Sequence, residues 1–151
     1  MSNDRELVAL SQSKWRLATL WFVGFIILFI IMLGQTIGGL YINEGEIKTA
    51  WNWFLPNIAP TLTLIIGVLV GEAQEKDKPK RMVDRKFYRL SVVVSSFYLL
   101  VIMSHIVIPP FFAPSRMMDL IGMSGIWLGV VQGFVAAVLG VFFVRQEVTE
   151  K

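Results

Sequence analysis

The chain contains no cysteine. Disulfides, thiolate metal sites and thiol redox chemistry are therefore excluded. Charge is scarce too: Asp, Glu, Lys and Arg make up 17% of the 151 residues, against about a quarter in ordinary soluble domains. Histidine occurs once, at His105, so a histidine-based metal centre would lack its second ligand. No glycine-rich phosphate loop is present. The run Gly122-Met123-Ser124-Gly125 places its second glycine one residue too early for a nucleophile elbow. With no catalytic signature, the expectation is a protein without enzymatic activity, resident cofactor or metal.

What the chain does have is four long apolar runs, at about 17–41, 51–71, 87–108 and 120–144, with no charged residue in their interiors. A helix needs about 20 residues to cross a hydrocarbon layer of ~30 Å, and each run is that long. Mean hydropathy is +0.63. The expected fold is all-α: a polytopic membrane protein with four transmembrane helices, forming one domain over 1–151. The N-terminal run follows Lys14 and Arg16 and is too long for the apolar core of a cleavable signal peptide. It reads as a signal anchor.

Charge sets the expected orientation. If the spans alternate, twelve of the fourteen Lys and Arg residues fall on the side that holds both termini and the 72–86 loop. The positive-inside rule then places both termini and that loop in the cytoplasm. The same asymmetry accounts for the sequence pI of about 9.4 without nucleic acid. Glu72, Glu75, Asp77 and Asp84 dilute the basic cluster, and from Lys76 to Lys86 no aromatic residue interleaves it as a strand-binding face requires. A bacterial inner membrane is the expected location, from the compact size and the lack of glycosylation sites and organelle signals.

Within the first run, Phe22, Phe25, Phe29 and Met32 recur at helical spacing and are expected to face lipid. Trp51, Trp53 and Phe54 are expected at headgroup depth. Pro56 suits the first turn of a helix. Pro60, four residues on, removes an internal hydrogen bond, so the pair marks a candidate hinge. In the third run Ser91, Ser95, Tyr98, Ile102 and His105 follow a 4-3-4-3 spacing and share one side of a helix, which should look inward. That helix is expected to stop at Pro109-Pro110. In the fourth run Gly125, Gly129, Gly133, Ala137 and Gly140 form a small-residue ridge that lets another helix approach closely. Packing within the subunit is the first expectation for so short a chain, with packing between subunits as the alternative. Gln132 lies on nearly the same side as Gly125.

The uncharged polar residues Gln35, Asn57, Ser91, Ser95, His105 and Gln132 are pore candidates: if they converge they form a polar vestibule, and otherwise they bond helix to helix. Coupled transporters keep a charged residue inside the membrane. Small multidrug exporters have four spans but need a glutamate in the first, which this chain lacks. Membrane-bound glutathione-using enzymes carry Arg and Glu in the second, also lacking here. In layout alone the chain resembles small multi-span effectors with which bacterial antiviral systems depolarise their own membrane. The leading functional expectation is an oligomeric pore-forming or membrane-perturbing subunit, a homo-oligomer whose immediate partner is the lipid bilayer. The alternative is a non-catalytic membrane anchor that recruits a cytoplasmic protein through the basic 72–89 segment.

Overall fold

The computed structural model describes residues 7–74, 82–112 and 114–144. Four helices account for nearly all of them: α1 over Leu10–Ile37, α2 over Glu44–Gln74, α3 over Arg85–Phe112 and α4 over Met117–Val144. All four are long and apolar enough to cross a membrane. Two three-residue strands, β1 (Leu7–Ala9) and β2 (Met82–Asp84), pair antiparallel with Val8 opposite Val83. They precede α1 and α3, so those two helices start from the same end of the bundle, here called basal.

Helix α1 packs against α2 and α3, and α4 packs against the same two. The order around the bundle is therefore α1, α3, α4, α2, with α2 facing α3 across one diagonal and α1 facing α4 across the other. Long side chains close both diagonals. The Tyr98 hydroxyl donates to the Asn57 carbonyl at 2.8 Å, and Lys14 Nζ donates to the Phe143 carbonyl at 2.8 Å. The interior is filled by Leu17, Trp21, Phe54, Tyr98, Leu128 and Phe142, all fully buried. Lipid tails are as apolar as these side chains, so in a bilayer their fit and their hydrogen bonds, not a drive out of water, would hold the helices together.

The helix ends follow local chemistry. Gly39 adopts φ +72°, the left-handed conformation that glycine reaches without steric cost. The Leu40 amide then bonds back to the Gln35 carbonyl at 3.1 Å and the Gly39 amide to that of Thr36 at 3.4 Å, closing α1 as a Schellman cap. The first apolar run thus ends as helix at Ile37 rather than near Tyr41. Asn43 Oδ1 accepts the Glu46 amide at 3.0 Å and caps α2 at its start. Glu44 and Glu46 occupy the first turn, where negative charge suits the helix dipole.

Several expectations need correction. Helix α2 begins at Glu44, so the segment before residue 51 is its first part, at the end of the bundle opposite the basal one, and Pro56 lies deep inside it, not in the first turn. The helix runs through Pro56 and Pro60 without a break. Helix α3 likewise continues past Pro109-Pro110 to Phe112. Of the expected 72–86 loop, residues 72–74 are helical, 82–84 form β2 and 85–86 open α3, while 75–81 lie outside the described residues, with Lys76, Lys78, Lys80 and Arg81. The aromatic stripe of α1 does not face away from the protein. Phe25 stacks on Phe54 at 6.3 Å between ring centroids, Phe29 meets Trp51 edge-on at 5.4 Å, and Met32 is buried. Trp53 and Phe54 are likewise buried against neighbouring helices.

Candidate functional site: proline repair and an open polar groove

A proline inside a helix has no amide to give the carbonyl four residues earlier. Pro60 therefore leaves the Pro56 carbonyl without its helical donor. Gln132 Nε2, from α4, donates to that oxygen at 3.0 Å. Pro110 leaves the Ile106 carbonyl in the same condition. Gln35 Nε2, from α1, donates to it at 2.9 Å. Gln35 Oε1 in turn accepts from the Tyr41 hydroxyl at 3.0 Å. Burial holds the Tyr41 phenol above its ordinary range, which keeps it a neutral donor. Two of the six polar pore candidates thus repair proline defects on neighbouring helices. At Pro60 and Pro110, two of the four prolines inside α2 and α3, a neighbouring helix thus supplies the donor that the helix lacks.

Three of the other four candidates are also spent on helix-to-helix and local bonds. Asn57 is buried; its Nδ2 donates to the Trp53 carbonyl at 2.6 Å, and its backbone carbonyl takes the Tyr98 hydroxyl. Ser91 is buried and bonds the Phe87 carbonyl of its own helix at 3.0 Å. His105 is half-buried, and its Nδ1 donates to the Val101 carbonyl at 2.9 Å. Its ring lies between two indoles, with centroids 5.0 Å from Trp127 and 6.2 Å from Trp53. Trp53 Nε1 donates to Ser124 Oγ at 2.9 Å, joining α2 to α4. Ser95 is fully buried and has no partner among the described residues. The six do not line one shared vestibule.

The small-residue ridge of α4 does not pack inside the chain. A Cβ built on Gly129, Gly133 or Gly140 would meet no atom within 4 Å, and one on Gly125 would touch only Trp53 Cδ1 at 3.9 Å. Gly125, Gly129, Gly133 and Ala137 are exposed. The buried stripe of α4 is instead Ile121, Ser124, Leu128, Val135, Leu139 and Phe142. Large side chains fill the interior, and the glycines beside them are left on the outer flank. There α2 and α4 border an open groove of about 510 Å³, lined by Asn52, Trp53, Pro56, Gly125, Gly129 and Gln132 among others. It combines two features rarely left facing lipid: close-approach glycines and polar amides.

One charged contact is buried at the basal end. Lys14 is only 2% exposed. Its ammonium pairs with Glu72 of α2 as well as bonding the Phe143 carbonyl of α4. The sequence carried a signal: Lys14 shares a helical face with Leu10, Leu17, Ala18 and Trp21, all buried. The cation also meets the free carbonyls at the end of α4, where positive charge suits the dipole. A single side chain therefore clamps three helices at the basal end. Among the described residues no group of three or more His, Asp or Glu side chains is placed to hold a metal ion.

Comparison with protein-family models, with curated proteins and with solved structures found no match to this chain.

Proposed function

We propose that the chain is a multi-pass membrane subunit that assembles with copies of itself along the α2–α4 groove, and that the assembly conducts ions or perturbs the bilayer. The supporting observation is the outward ridge of Gly125, Gly129 and Gly133 beside Gln132. In lipid, helices associate through close backbone approach and interhelical hydrogen bonds; the glycines of this flank offer the first, and Asn52 and the Gln132 Oε1, which is left over once Nε2 bonds the Pro56 carbonyl, offer the second. The bundle interior is filled by large side chains, so the conducting path would run between subunits. Without a ring of charge, such a path would be weakly selective and controlled by apolar constriction.

The proposed orientation has both termini and residues 75–81 in the cytoplasm of a bacterial inner membrane. Lys14, Arg16, Arg85, Lys86 and Arg89 stand at the basal end, against Lys48 and Arg116 at the other. The alternative role, an anchor for a cytoplasmic protein, draws on the exposed Lys86 and Arg89 at the start of α3.

The test is purification from native membranes, sizing, and reconstitution into liposomes. The expected result is a particle larger than one 17.1 kDa chain that passes ions, with Gly129→Leu lowering both assembly and flux. A monomer whose liposomes leak no more than empty ones would overturn the proposal. Crosslinks to a soluble protein, lost in Lys86→Gln/Arg89→Gln, would favour the anchor instead.

A further inference from the structure

Serine and threonine inside helices usually return their hydroxyl to the carbonyl one turn earlier. Ser13, Thr19, Thr36 and Ser91 do so here, at 2.8–3.0 Å. Thr61 and Ser95 do not. They are 2% and 0% exposed, and neither hydroxyl has a partner among the described residues. The indole Nε1 of Trp21, 0% exposed, is unpartnered as well.

These three atoms belong to three helices and lie at about one level of the bundle. The Tyr98 hydroxyl and the Asn57 carbonyl join α3 to α2 across the bundle. Thr61 lies one turn basal of Asn57 on α2, and Ser95 lies about one turn basal of Tyr98 on α3. Trp21 of α1 packs on the Tyr98 ring at 6.1 Å between centroids. Counted from the basal ends of their helices at about 1.5 Å per residue, all three sit at a depth of roughly 15–20 Å. Thr61 has a further reason to turn away from its own helix, since its back-bonding acceptor is the Asn57 carbonyl already taken by Tyr98.

We propose that Trp21 Nε1, Thr61 Oγ1 and Ser95 Oγ together bind water at the centre of the bundle. The donor set selects that ligand. An indole N–H only donates, while the two hydroxyls both donate and accept. A donor-only group repels a metal cation, and the one buried cationic side chain among the described residues, Lys14, is held at the basal end by Glu72 and the Phe143 carbonyl rather than offered to an anion here. Water matches a site of two to four neutral polar partners. It accepts from Trp21 and donates to the hydroxyls, linking α1, α2 and α3 where direct bonds are too long to form. The bridge is independent of how the chain assembles.

The test uses the full chain in detergent micelles. One readout is a magnetisation-transfer cross-peak between the Trp21 indole proton and long-lived water, assigned by its loss in Trp21→Phe. The second is the thermal midpoint of Thr61→Val, Ser95→Ala and the double variant, with Thr61→Ser as the conservative control. The expected result is a cross-peak in the unaltered protein that vanishes in the double variant. Each single variant should lower the midpoint by about 3 °C or more, the double by less than the sum, and Thr61→Ser by little. Were the site dry, removing an unpartnered hydroxyl would leave stability unchanged or raise it. Midpoints that hold or rise, or an unaltered indole proton without water contact, overturn the proposal. The cross-peak decides the matter even if a variant fails to fold.

Discussion

Gln132 on α4 donates its side-chain amide to the carbonyl of Pro56 on α2, the one group that Pro60 strips of its helical donor. The contact is a substitution of one donor for another, made across a helix interface. Gln35 and Ile106 repeat it on α1 and α3, with Pro110 as the cause.

The substitution can be measured as a coupling. Gln132→Leu should destabilise the chain by about 0.6–2 kcal/mol, the range for interhelical hydrogen bonds in membranes. In a Pro60→Ala background the helix supplies its own amide, so the same change should cost much less. A double-mutant cycle by denaturant titration reads the difference. Equal costs in both backgrounds would mean that Gln132 does not act on the proline defect.

Gln35 and Pro110 should behave in parallel. Gln35→Leu also takes from the Tyr41 hydroxyl its Gln35 Oε1 acceptor and leaves it only the weaker Met32 Sδ at 3.5 Å. Its cost should therefore exceed that of Gln132→Leu, and Pro110→Ala should recover only part of it. Full recovery would remove Tyr41 from the account.

Lys14 and Glu72 should show the asymmetry of a buried ion pair. Lys14→Met alone leaves a carboxylate facing apolar surroundings and should cost about 3–5 kcal/mol. The true value should lie at the lower end, because Glu72 keeps about a quarter of its side chain exposed. Lys14→Met with Glu72→Leu should recover most of the loss. A double variant no better than the single would place the energy in the Phe143 carbonyl bond instead.

Two glycines near the end of α1 should respond oppositely to alanine. Gly39 holds a left-handed φ, so Gly39→Ala should cost about 1–2 kcal/mol. Gly34 lies in the last turn of α1 with open space where a Cβ would go, so Gly34→Ala should stabilise by up to about 0.5–1 kcal/mol. Thermal midpoints of the two variants give the comparison directly.

The helical runs were legible because they rest on a property each residue carries alone. Long uncharged stretches without a soluble pattern leave few structures other than membrane-length helices, and all four are present. The inward side of α3 was legible for a related reason: Ser91, Ser95, Tyr98 and Ile102 share a helical face, and all are buried. The stripe of Phe25 and Phe29 was misassigned because periodicity shows that residues share a face and not what that face meets. Trp51 and Phe54 of α2 decided it. Pro109-Pro110 failed as a stop signal for the same kind of reason, since the donor that rescues the helix comes from Gln35, far away in the chain.

By itself the sequence determined the number of helices, their length and the uneven distribution of positive charge, since hydropathy and charge act residue by residue. Only the tertiary structure decided that the glycine ridge of α4 faces outward, that Lys14 is buried against Glu72 and Phe143, and that two glutamines complete helices not their own. Each of those outcomes depends on which helix lies beside which, and on a donor or acceptor that one segment lacks and another supplies.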